Sequence, residues 1–115
     1  MIYYIIWIHF ICDFILQTDN MAKNKSSHIG WLGWHIFIYT LYFNMFLAIA
    51  LHTVDIKVLI YSIINGLSHF VIDFCTSKAT RYLWEKKQTH NFFVVIGLDQ
   101  ALHMSILMYT MFILM

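Results

Sequence analysis

VLIYSIINGLSHFVIDFCT, residues 58–76, decides the fold. The run is continuously apolar and too long for a strand, which would alternate with period two. Its small and polar residues Ser62, Asn65, Gly66, His69 and Asp73 recur at three- and four-residue steps, so they share one face of a helix. Such a stripe packs against neighbouring helices inside a membrane. Crossing ~30 Å of hydrocarbon takes about 20 helical residues, with a lower limit near ~17.

Three further apolar stretches flank this one, at about 2–17, 31–51 and 92–114; the first is marginal in length and the others are ample. The chain has 115 residues, of which 61% are hydrophobic and 11% charged. So little charge leaves a water-soluble surface uncovered, and the length allows one domain. The expected fold is therefore all-α: an integral membrane four-helix bundle forming a single transmembrane domain over 1–115. A net charge of +1 gives no case for a nucleic-acid partner. The bilayer is the partner expected, and association of several copies stays open.

The joints orient the spans. Lys23 and Lys25 lie in the first joint, and Lys78, Arg81, Lys86 and Lys87 in the third; the second has only Lys57, offset by Asp55. Positive residues collect on the cytoplasmic side, which puts both termini outside a bacterial inner membrane. Trp31, Trp34, Tyr82 and Trp84 suit a headgroup-level belt, and ATRYLWEKK could lie as a short helix on the inner surface. The basic residues serve topology alone, or they also attract an anionic lipid or a phosphate-containing substrate. MIYYIIWIHFICDF lacks a positive n-region and a cleavage site, so it is expected to stay in the mature protein. Cys12 and Cys75 form no disulfide or metal motif and are expected to be small buried hydrophobes.

HFICDF at 9–14 and HFVIDF at 69–74 spell the same pair twice, so His9 and Asp13 share a face, as do His69 and Asp73. DQALH places Asp99 and His103 likewise, and His35 comes from the second span. All seven groups fall within about 15 Å of the inner surface at 1.5 Å rise per residue. The two halves look like parallel copies of one helical hairpin. Each aspartate at such depth costs about 2.5–3.5 kcal/mol even on the lenient insertion scale, so something must compensate. Either His⁺–Asp⁻ pairs do so, or a divalent metal does. Nitrogen and oxygen donors without thiolate suit zinc, iron or manganese, as one or two ions. The candidate ligands are His9, Asp13, His35, His69, Asp73, Asp99 and His103.

HFICDFILQTDNMAKNK (9–25), WHIFIYTL, HFVIDFCTSK and LDQALH together resemble, over nearly the whole chain, a family of small bacterial and phage membrane proteins catalogued as domain of unknown function 3307. The resemblance implies a helical, membrane-embedded fold. It makes His9, Asp13, Gln17, Asp19, Lys25, His35, His69, Asp73, Asp99, Gln100 and His103 the characteristic polar positions. Thr18 or Asp19 could cap a short helix through NMAKNK, and Gln17 could hydrogen-bond a ligand at the site mouth.

Three functions follow. A metal centre facing the cytoplasm could make a hydrolase of a membrane-associated substrate, with Asp13, Asp73, Asp99 or Gln17 as the catalytic candidates. Intramembrane Asp/His chains also serve ion or proton transport, although the outer halves of spans two and four carry no ionisable residue. A non-catalytic membrane accessory protein is the third.

Overall fold

The computed structural model describes residues 1–115, and the chain is helical throughout. Helix α1 (Ile2–Phe10) continues into a π-helical turn (Ile11–Ile15); α2 (Asp19–Asn24), α3 (Ile29–Ala50), α4 (Ile56–Glu85) and α5 (Thr89–Leu114) follow. Helices α3, α4 and α5 are each long and apolar enough to cross a membrane, whereas the apolar helix Ile2–Ile15 is shorter. At 1.5 Å per residue that first segment is only about 20 Å long. Contacts run in a closed ring, α1 to α3, α3 to α4, α4 to α5 and α5 back to α1, with α2 lying against α3.

The burial pattern is the reverse of a water-soluble protein's. On α4 the inward face holds Val58, Tyr61, Ser62, Asn65, Gly66, His69, Asp73 and Ser77, while Leu59, Ile60, Ile63, Leu67, Val71 and Phe74 point out. Polar groups line the interior and hydrocarbon covers the outside. The interior is divided along its length. Ile5, Ile8, Cys12, Tyr39, Phe43, Leu47, Val58, Tyr61 and Leu107 form an apolar core, and the His/Asp residues sit beside it.

Two helix ends use the same device. His52 N–H reaches Ile49 O and Thr53 N–H reaches Ala48 O; Lys87 N–H reaches Trp84 O and Gln88 N–H reaches Leu83 O. These paired bonds satisfy carbonyls left over at the ends of α3 and α4, and they require a left-handed residue, here His52 (φ 51°) and Lys87 (φ 57°). Neither is glycine, so each turn carries a cost of about 1–2 kcal/mol.

Two expectations need correction. ATRYLWEKK (79–87) forms no separate surface helix; as far as Glu85 it extends α4, whose 30 residues reach about 45 Å and match the 46 Å long axis. Ala79, Arg81 and Leu83 are good helix formers and no proline or glycine intervenes, so nothing stops the helix before Lys86. Cys75 is exposed, because it lies on the outward face of α4 beside Phe74; Cys12 is buried as expected.

Candidate metal centre

The π turn sets up the site. One residue more per turn widens the helix at Ile11–Ile15, and such turns often occur where a side chain must be re-aimed. Asp13 sits inside it and touches three other helices. Its Oδ1 is 3.2 Å from His35 Nε2 on α3 and 3.1 Å from His69 Nε2 on α4, and its Oδ2 accepts from Gln100 Nε2 on α5 at 3.1 Å.

Asp73 is the counterpart on α4. Its Oδ2 lies 3.5 Å from His35 Nε2 and 3.6 Å from His69 Nε2, and its Oδ1 lies 3.1 Å from His103 Nε2. Lys25, just past α2, brings its ammonium to 3.0 Å of Asp73 Oδ2. Thr18 starts α2 by accepting the Met21 N–H, and Met21 is buried, so both ends of this short helix are anchored. Of the two capping readings, Thr18 is the cap.

One atom each from Asp13, His35, His69 and Asp73 lies within 4.8 Å of the others, and all four residues are buried. Five of the six edges of this group are 3.1 Å between His35 and His69 Nε2, 3.1 and 3.2 Å to Asp13, and 3.5 and 3.6 Å to Asp73, and the sixth, between the two carboxylates, is under 4.8 Å. A tetrahedral metal with ligands at ~2.0–2.1 Å spaces them about 3.3–3.4 Å apart. The spacing fits.

Hydrogen bonding alone leaves a tight contact. Each Nε2 carries at most one proton, and ionised carboxylates only accept. With a proton on one ring, the other turns a lone pair on Asp13 Oδ1. With protons on both, two N–H groups crowd each other across 3.1 Å. A cation between the four atoms removes the conflict. His69 Nδ1 has no hydrogen-bond partner; the ring is held by stacking on Tyr39, 4.3 Å between centroids, and on His103, 4.0 Å.

Asp13, Asp99 and His103 form a second such group, sharing Asp13 with the first. Asp99 Oδ1 accepts from the Thr76 hydroxyl at 2.5 Å and lies 3.4 Å from His103 Nε2; its Oδ2 accepts from Gln100 Nε2 at 3.0 Å.

His9 lies outside both groups. Because the two carboxylates can only accept, they fix the Gln100 amide with its NH₂ towards Asp13 and Asp99, so its oxygen faces His9 Nε2 at 3.1 Å. Nε2 therefore carries the proton, and Nδ1 accepts from the Tyr39 hydroxyl at 2.7 Å. Both ring nitrogens are engaged. The two HxxxD copies keep the same 3.6 Å internal Nε2–Oδ2 distance, yet only His69 presents its nitrogen to the four-atom group.

A cavity of about 190 Å³ adjoins the cluster, lined by Asp13, Gln17, Lys25, Ser77, Asp99 and Gln100 among others. Gln17 thus stands at the mouth, its Oε1 without a partner. Residue-by-residue reasoning missed Tyr39 and Thr76, although each had a signal: four residues after His35 and three after Asp73, on the same faces. Lys25 carried the family resemblance but was read for its charge alone. His28, His52 and His90 are exposed and remote from the cluster.

Fold and site together define a class: an all-helical protein with spanning-length apolar helices and a buried His/Asp group that could hold a metal. The chain belongs to the family described as "Protein of unknown function (DUF3307)", whose model matches residues 1–115. No curated protein and no solved structure matches.

Proposed function

We propose that the chain is a four-helix bundle of the bacterial inner membrane, both termini outside, that holds one divalent ion and hydrolyses a membrane-associated substrate from the cytoplasmic side. The observation that carries this reading is the four-atom group of His35, His69, Asp13 and Asp73, whose spacing suits a tetrahedral ion and whose two Nε2 atoms meet across 3.1 Å. Zinc matches the nitrogen and oxygen donors and the near-tetrahedral spacing best, ahead of iron or manganese.

Charge supports a single ion. Asp13, Asp73 and Asp99 against Lys25 leave −2 with neutral imidazoles, which one divalent cation cancels and two would overshoot. Without a metal, two protonated imidazoles would balance the same charge, and the desolvation of such buried ion pairs is costly.

The exposed hydrocarbon on α3, α4 and α5 supports membrane insertion. The short first segment supports one-sided access: it ends soon after Asp13, and the cavity opens there. On the other side Phe43, Leu47, Tyr61 and Leu107 close the interior, which argues against a charged path across the bilayer.

A bound divalent ion would acidify water and polarise the bond to be cut. The protein's own groups do the rest. Asp99, outside the four-atom group and lining the cavity, takes a proton from water as the water oxygen bonds to the electrophilic centre, and returns that proton to the leaving oxygen as its bond breaks. Gln100 holds Asp13 and Asp99 at a fixed separation, and Lys25 aligns Asp73. The test is hydrolysis in ¹⁸O-labelled water by metal-depleted and metal-restored protein. Metal-dependent incorporation of the label, lost in Asp99→Asn while metal is retained, is expected. Hydrolysis indifferent to metal refutes the reading.

A further inference from the structure

The mouth of the cavity carries groups that the metal centre does not use. Ser77 is 8% exposed, its hydroxyl has no partner, and it lines the cavity; Gln17 Oε1 is likewise unpartnered there. An unmade bond at a buried polar atom costs about 1–3 kcal/mol, and a ligand would recover it. Lys25, Ser77 and Thr80 also line a second, outer hollow with Lys23, Arg81, Glu85 and Trp84, so the two spaces adjoin across a shared wall. The passage is therefore polarised, with Asp13 and Asp99 at the bottom and ammonium, guanidinium and hydroxyl groups towards the outside.

We infer that this passage is a phosphate subsite and that the substrate class is a phosphate ester, a refinement that rests on the hydrolase reading above. A carboxylate offers two oxygens in a plane. A phosphate offers three around a tetrahedron, and three partners surround the space: the ion at the four-atom group, the Lys25 ammonium and the Ser77 hydroxyl. Lys25 is already 3.0 Å from Asp73 Oδ2, so an oxygen bound by it lies next to the cluster. Ammonium and hydroxyl donors to a charged oxygen make the stronger class of hydrogen bond. The outer Lys23 draws an anion inwards, while Arg81 in the same hollow is paired with Glu85 at 3.2 Å.

The ester is either a lipid head group or a soluble molecule, and one experiment separates them. Protein purified in a maltoside detergent, which contains no phosphate, is titrated calorimetrically with phenyl phosphate and with short-chain phosphatidic acid, and metal content is measured in the same sample. Binding of phenyl phosphate assigns a soluble ester; binding of phosphatidic acid alone assigns a lipid. Either supports the subsite if Ser77→Ala weakens it about tenfold, Lys25→Gln weakens it further, and Lys57→Gln at the opposite end leaves it unchanged. Metal-loaded protein that binds neither probe overturns the subsite and leaves the metal centre standing. Metal-free protein that binds phosphate through Ser77 keeps the subsite and removes the hydrolase. Affinity unchanged in Ser77→Ala overturns the inference outright.

Discussion

Gly66→Ala is the most informative single methyl group in this protein. Gly66 faces Thr40 across α3 and α4; a Cβ there would collide with Thr40 Oγ1 and stand 3.2 Å from both Thr40 Cβ and Cγ2. Rotating Thr40 moves its hydroxyl but not its Cβ. Carbon atoms rest at about 3.5–4.0 Å, so the helices must part by at least roughly 0.3 Å at this level. Gly66 is one turn from His69, and Thr40 is little more than one turn from His35. The displacement therefore falls on the 3.1 Å between the two Nε2 atoms. Metal sites tolerate about 0.2 Å. Overpacking costs about 1–3 kcal/mol, of which alanine's better helix propensity returns up to about 1. Melting in detergent should thus fall modestly, while zinc affinity, measured by competition with a chromophoric chelator, falls tenfold or more. Thr40→Gly in the same chain should restore the affinity, whereas Thr40→Ala, which keeps the Cβ, should restore it only in part. Gly97→Ala, with nothing within 4 Å, should leave the zinc affinity unchanged and raise melting slightly through helix propensity. Wild-type affinity in Gly66→Ala would refute the claim that this close approach sets the ligand spacing.

Three further outcomes are expected. Metal binding needs neutral imidazole, so zinc affinity should fall as the solution is acidified, as followed by proton release on titration with zinc at several pH values. Thr18→Ala removes the α2 cap and should cost about 1 kcal/mol, read as a lower melting point in detergent. Cysteines introduced at Lys23 and Lys86 should react with a membrane-impermeant thiol reagent only in inverted vesicles, and one at His52 only in right-side-out cells.

The apolar runs made the long helices legible, because continuous hydrocarbon over a spanning length admits few alternatives. The stripe Ser62, Asn65, Gly66, His69 and Asp73 also read correctly as one buried face, since helical spacing fixes direction. What escaped was set by tertiary contact. His9 and His69 share the same local spelling, yet Tyr39 and Gln100 occupy both nitrogens of the first, and nothing within HFICDF reports them. Lys25 reaches Asp73 across 48 positions, a pairing invisible to any helical period. The π turn at Ile11–Ile15 has no local sequence mark at all. Cys75 was misplaced because an apolar neighbourhood means burial only when the surroundings are water, and here the outward face is apolar too.

X-ray absorption at the metal edge, together with elemental analysis of the detergent-purified protein, probes the centre directly. One divalent ion per chain is expected, with a nitrogen and oxygen shell near ~2.0–2.1 Å that contains two imidazoles and is lost in His69→Ala and Asp73→Asn. No stoichiometric metal at neutral pH, or a shell containing sulfur, would contradict a cation held between His35, His69, Asp13 and Asp73.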